Sequence, residues 1–171
     1  MADPFTDLTF TGDPTVVVDS FMKALAAADS ATIDTISPYY DSSYFFDSDE
    51  SVSGIQKTFY GMITYEIGKD SDIGDTTATI NVHMVIPDIS SIDYELANDL
   101  DVTAKMIKPY LLAEINGTDT TAAEDEIAKI FADAVNERLG ASDLPTVEAD
   151  TVFTMELDSD TGTWVISDVP T

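Results

Sequence analysis

One histidine, no cysteine and 33 acidic side chains are the raw material for chemistry in this 171-residue chain. The missing thiols remove disulfides, thiolate nucleophiles, Cys-ligated zinc and iron–sulfur clusters, and leave the redox compartment open. Any imidazole-based proton transfer must use His83. It stands in "NVHMV", where the two-residue period of a strand puts it on the face opposite Val82 and Met84. A histidine on the outer face of a sheet is the plainer expectation there. No Gly-x-Ser-x-Gly nucleophile elbow accompanies it.

The carboxylates gather in "DSDE" (Asp47, Asp49, Glu50), "KDSDIGD" (Asp70, Asp72, Asp75) and "DSDTG" (Asp158, Asp160). Oxygen ligands that close together suit calcium, but none of the three has the central glycine and terminal glutamate of an EF-hand loop. In "DSDTG" a hairpin turn accounts for every residue, because Asp and Gly accept turn dihedrals. Glycoside hydrolysis needs one chosen pair of carboxyl groups across a cleft, and so many acids give no reason to choose. No catalytic residue, no metal ligand and no cofactor is assigned.

The stretch most suggestive of binding is "PYYDSSYFFDSDE". Tyr39, Tyr40, Tyr44, Phe45 and Phe46 crowd a short, turn-rich segment and could line a pocket for a small ligand or dock an envelope partner. The competing expectation is that they plug the end of the core.

These residues need a scaffold. Asp13 and Pro14 suit an N-cap and first helical position, and Val17, Phe21, Leu25 and Ala28 recur at helical spacing, which predicts a helix over 14–28. Asp19 and Lys23 are placed to pair across one turn. A short helix is expected at 30–37, stopped by Pro38, and a third over "ESVSGIQKTFYGM". Period-2 patterns follow, with Ile63, Tyr65 and Ile67 on one face and Ile80, Val82, Met84 and Ile86 on another. "GKDSDIGD" between them is expected to be a turn. Residues 88–140 then turn helical, with Pro109 kinking or dividing one helix. The next, "TAAEDEIAKIFADAVNERLG", has Thr121 and Glu124 as a capping box and Gly140 as C-cap. Its apolar stripe could also serve a partner. Alternation over 147–157, the "DSDTG" turn and "TWVISDV" complete a hairpin. The expectation is an α+β fold, with N-terminal helices packed on a curved antiparallel sheet and a helical insertion (88–140) between strand pairs. Residues 13–171 form one domain in this reading, and residues 1–12 a tether or disordered leader.

A formal charge of −26 covers the whole length, with ten, eleven and twelve acids in residues 1–60, 61–120 and 121–171. It repels phosphate backbones and anionic lipid, so nucleic acid is set aside as a partner. No apolar run is long enough for a transmembrane segment. The acidity suits an extracellular, surface-anchored protein, with the cytoplasm of a halophile as the alternative. A monomer or weak dimer is expected.

The segments "GDPTVVVDSFMKALAAADSATI", "ITYEIGKDSDIGDTTATINVHMVIPDI" and "GTWVISDV" carry a resemblance. They resemble the cystatin-like fold shared by relatives of nuclear transport factor two. More closely, they are similar to small lipoprotein domains of unknown function on Gram-positive surfaces. The resemblance implies a sheet wrapped around helix 14–28 as a cone with a pocket, and a lipid-anchoring cysteine upstream of Met1. It implies a non-enzymatic surface-lipoprotein domain that binds a small ligand or envelope partner. The alternative is a pocket enzyme of the isomerase or dehydratase type, using His83 or a buried Asp as general base.

Overall fold

The computed structural model describes residues 12–169. The tether expected at 1–12 lies, up to residue 11, outside the described residues. Helix α1 (Pro14–Ala27) starts as its sequence demands: Asp13 accepts from the Thr15 amide at 2.9 Å, and Pro14 fills a position where no N–H is needed. Its inner face is fully packed, with Val17, Val18 and Phe21 almost without solvent contact. Each such side chain contributes about 1.5–3 kcal/mol through burial. Ala28 is not part of the stripe. It caps the helix in the left-handed region, at φ 52°.

Three further helices precede the sheet: α2 (Ser30–Ile36), α3 (Ser42–Phe45) and α4 (Glu50–Met62). α3 lies inside the aromatic segment expected to be irregular. Its single turn is set by Asp41, whose carboxylate accepts from the Ser43 amide at 3.0 Å. Asp29 and Asp49 cap α2 and α4 in the same way. Local capping therefore gives many of the aspartates a structural task, including Asp49 of "DSDE".

The sheet is antiparallel, in the order β1-β3-β4-β5, and comprises β1 (Thr64–Ile67), β3 (Thr77–Pro87), β4 (Thr146–Asp158) and β5 (Thr163–Asp168). A two-residue β2 (Asp72–Ile73) extends the β1 edge along β3, in the segment expected to be only a turn. Register places Ile80 opposite Phe153, Val82 opposite Thr151 and Met84 opposite Ala149, with His83 opposite Asp150 on the other face. The apolar face meets α1, and the main core joins Phe21, Ile33 and Ile36 to Ile80, Met155 and Trp164.

Between β3 and β4 runs the helical insertion. A 3-10 turn (Ile89–Ser91) leads to α5 (Ile92–Asn98), α6 (Leu100–Asn116) and α7 (Thr121–Leu139). Pro109 does not divide α6, which continues through it with the ring buried. The capping box at α7 does not form. Thr121 lies inside the helix, and both its amide and hydroxyl donate to Asp119, at 3.0 and 2.8 Å. Gly140 ends α7 at φ −76°, so its C-cap uses no left-handed geometry. Gly117 after α6 does, at φ 63°. Ile92, Val135 and Leu139 form a second, smaller core with Ile55 and Met62 of α4. The exposed apolar residues of the insertion lie chiefly on α6, at Leu100, Ile107, Leu111 and Ile115, rather than on α7.

Candidate functional site

α4 occupies the middle of the molecule, packed against α1 on one side and α7 on the other. Its ridge at Ile55, Gln56, Phe59 and Tyr60 follows the i, i+3, i+4 rule, so these side chains share a face, and Ile63 follows at the C-cap. Two apolar cavities open along that ridge. The first, about 440 Å³, lies between α1, α4 and the apolar face of the sheet, where Phe21, Tyr44, Phe45, Tyr60, Met84 and Phe153 line it. The second, about 490 Å³, lies between α4 and the insertion, lined by Ile55, Ile89, Ile92, Phe131 and Val135. Phe59 and Tyr60 belong to both walls.

The five aromatics singled out in the sequence divide. Phe45 is buried, edge-on to Phe21 at 5.4 Å, Tyr44 at 5.1 Å and Tyr60 at 6.4 Å between ring centroids. Tyr44 is exposed and stands at the wall of the sheet-side cavity beside it. Tyr39, Tyr40 and Phe46 do not line that cavity. Tyr39 is open to solvent, whereas Tyr40 ties the segment to the end of β5 through a 3.0 Å bond from its hydroxyl to Asp168. That bond raises the Tyr40 pKa. Phe46 packs its ring against Tyr60 at 5.5 Å. The segment thus contributes Phe45 to the core and Tyr44 to the cavity wall.

Phe59, Tyr60, Ile63, Met84 and Ile86 are lining residues that the sequence reading did not single out. Their signals were present, as helical spacing in α4 and alternation in β3. Nothing in one dimension brings the two together. Burial raises the Tyr60 pKa, with Tyr44 adding to it, so the phenol is a neutral hydrogen-bonding group at ordinary pH.

His83 lies elsewhere. It projects from the sheet face opposite the cavity, with Nδ1 2.8 Å from Asp150 Oδ1. The pair lines a groove together with Asp70, Asn81 and Val152. The Asp150 hydrogen bond raises the His83 pKa; partial burial opposes this, and Asp150, Glu148 and Glu66 add charge attraction. Asp150 also borders the sheet-side cavity, but its carboxylate is engaged by His83 on the far face, so the cavity meets its backbone. The buried polar side chains among the described residues are serines, Ser20, Ser37 and Ser53. Neither base required by the pocket-enzyme alternative, His83 or a buried Asp, is therefore brought into the cavity.

Two of the three acidic clusters, "DSDE" and "DSDTG", are engaged in local structure. Asp47 accepts from the Asp49 amide at 2.8 Å, and Asp158 from the Asp160 amide at 2.8 Å. Among the described residues no three His, Asp or Glu side chains converge as a metal ion would require. Nor is any described helix long and apolar enough to cross a membrane.

No family model matches the chain, and no curated protein matches it in sequence. A solved structure of a provisionally assigned lipoprotein from Bacillus subtilis is similar to it, at 16% identity and a TM-score of 0.46. The similarity covers 96% of this chain and 46% of that one, so the chain spans less than half of the Bacillus protein's length. A superposition that loose leaves function to be argued from the residues themselves.

Proposed function

We propose that residues 13–171 are a single, non-catalytic binding domain, displayed outside the cell on a surface lipoprotein, whose sheet-side cavity holds a small apolar ligand. The observation that carries the reading is the cavity of about 440 Å³ walled by Tyr44, Phe45, Phe59 and Tyr60. A concave, aromatic-lined site with few polar groups is the usual form of a small-molecule pocket. The packing of α1 against the apolar face of the sheet supports a cystatin-like cone, in which such a cavity would be the cone's mouth. Surface display is supported by the charge of −26, spread over the whole length of the chain. The cytoplasm of a halophile is the alternative location for a chain of that charge, and unfolding at low salt with recovery in molar KCl would favour it.

Titration with the uncharged fluorophore N-phenyl-1-naphthylamine tests the reading. Saturable binding at one site is expected, weakened at least about tenfold by Met84→Trp, which fills the cavity, and unaffected by His83→Gln. Absence of saturable binding, or equal binding by Met84→Trp, would sink it.

A further inference from the structure

The two cavities share more than a wall. The sheet-side cavity uses the second half of the α4 ridge, Phe59, Tyr60 and Ile63, while the insertion-side cavity uses Ile55, Gln56, Phe59 and Tyr60. They therefore lie end to end along one helix. From Ile55 to Tyr60 the ridge rises about 7.5 Å, at the 1.5 Å rise of each helical residue, and Ile63 follows as the C-cap of α4. Phe59 and Tyr60 are the lining residues the two cavities share, so their half-buried rings mark the junction.

The polar groups are distributed unevenly. Gln56, Ser90 and Asp93 edge the insertion-side cavity, and Asp93 is exposed at its mouth. The sheet-side cavity has mainly aromatic and aliphatic walls, with Thr151 and the two tyrosine hydroxyls as polar side-chain groups. Neither lining contains Lys, Arg or His. In a chain of net charge −26, nothing at either mouth compensates an anion.

Building on the ligand-binding reading above, we propose that the two cavities act as one trough for an elongated apolar chain whose head group carries no negative charge. The head lies at the insertion-side mouth, where Asp93, Ser90 and Gln56 can meet an amine or a hydroxyl. The tail passes Phe59 and Tyr60 and ends against Phe21 and Phe153. This assigns the helical insertion a role, since the 3-10 turn, α5 and α7 supply the half of the site that binds the head. It also sets a charge preference opposite to that of a fatty-acid carrier, which needs a base for its carboxylate.

The test is calorimetric titration at physiological salt, below micelle concentrations, with dodecylamine, dodecanol, hexylamine and dodecanoate. Dodecylamine and dodecanol should bind one to one, at least about tenfold tighter than hexylamine, because added methylenes are buried in the second cavity. Dodecanoate should bind at least about tenfold more weakly than either, the carboxylate lacking a partner. Asp93→Asn should remove the preference for amine over alcohol. Ile89→Trp, a substitution at a half-exposed rim position, should block the insertion-side cavity without touching the main core. It should abolish dodecyl-chain binding and preserve that of N-phenyl-1-naphthylamine. Equal affinity for hexyl and dodecyl chains would show two separate cavities and overturn the trough. Equal affinity for dodecanoate would overturn the charge preference. Binding of the fluorophore with no alkyl chain bound overturns this inference alone, whereas failure of every probe overturns the ligand-binding reading as well.

Discussion

The Tyr65 hydroxyl donates to the Asp19 carboxylate at 2.7 Å, joining β1 to the outer edge of α1 across 46 residues of sequence. Lys23 holds the other carboxylate oxygen at 2.6 Å. Burial would raise the Asp19 pKa, but the hydrogen bonds from Lys23 and Tyr65 outweigh it and leave it below 3.8. For Tyr65, burial comes first, followed by the Asp19 bond and charge, and all of them push its pKa upward.

Tyr65→Phe should therefore cost about 1 kcal/mol at neutral pH, a charged hydrogen bond discounted for partial exposure. Because the folded pKa of Asp19 is depressed, its contribution is present above 3.8 and is lost as pH falls through the folded value. The variant should lose less stability than the parent on acidification below pH 4. Urea melts at pH 7 and pH 3 check both, and equal acid sensitivity would count against the assignment.

His83 gives the opposite sign. Its folded pKa is raised, chiefly by the Asp150 hydrogen bond, so the stability it contributes is present below 6.5 and is lost as pH rises through the folded value. As the chain's lone histidine, it offers one resolved imidazole resonance. Proton NMR titration should give a midpoint above 6.5 that falls in Asp150→Asn. A midpoint unchanged by that substitution would contradict the pairing.

The aromatic segment allows a contrast between neighbours. Phe45→Ala should destabilise by about 3–4 kcal/mol, through lost burial and an incompletely collapsed cavity. Tyr39→Ala, at a residue 64% exposed, should change stability by less than about 0.5 kcal/mol. Thermal melts of the two separate core from surface directly. Similar losses in both would mean that the segment packs differently.

Ala28 holds φ 52° at the end of α1, where its amide bonds back to Leu25 at 3.1 Å. A β-carbon is strained in that region, and glycine is not. Ala28→Gly should stabilise by roughly 0.5–1 kcal/mol despite the entropy that glycine adds to the unfolded chain. A fall in Tm would show that the cap is not left-handed in solution.

Ser37 is fully buried, and among the described residues its hydroxyl oxygen has no hydrogen-bond partner. Removing an unsatisfied buried group relieves a desolvation cost. Ser37→Ala should be neutral or stabilising by about 1 kcal/mol in the same melts, and a large loss would show that the hydroxyl is bonded after all.

The amino-acid sequence by itself determined the elements whose signal is local. Asp13-Pro14 began α1 where such a pair must, the Ile80–Met84 alternation chose the inner face of β3, and His83 fell outward because neighbours in a strand point to opposite sides. The α+β order followed from those patterns. Where two local solutions competed, geometry decided: Thr121 bonded to Asp119 rather than forming a box with Glu124, and Pro109 stayed within α6 because its ring could be buried. The cavities belong wholly to the tertiary structure. Tyr44, Tyr60 and Met84 are separated by tens of residues and meet only when α4 is wedged between α1 and α7 over the sheet. A site made by packing three elements together has no periodicity of its own, because its shape is set by how the elements cross and not by the order of residues within any one of them.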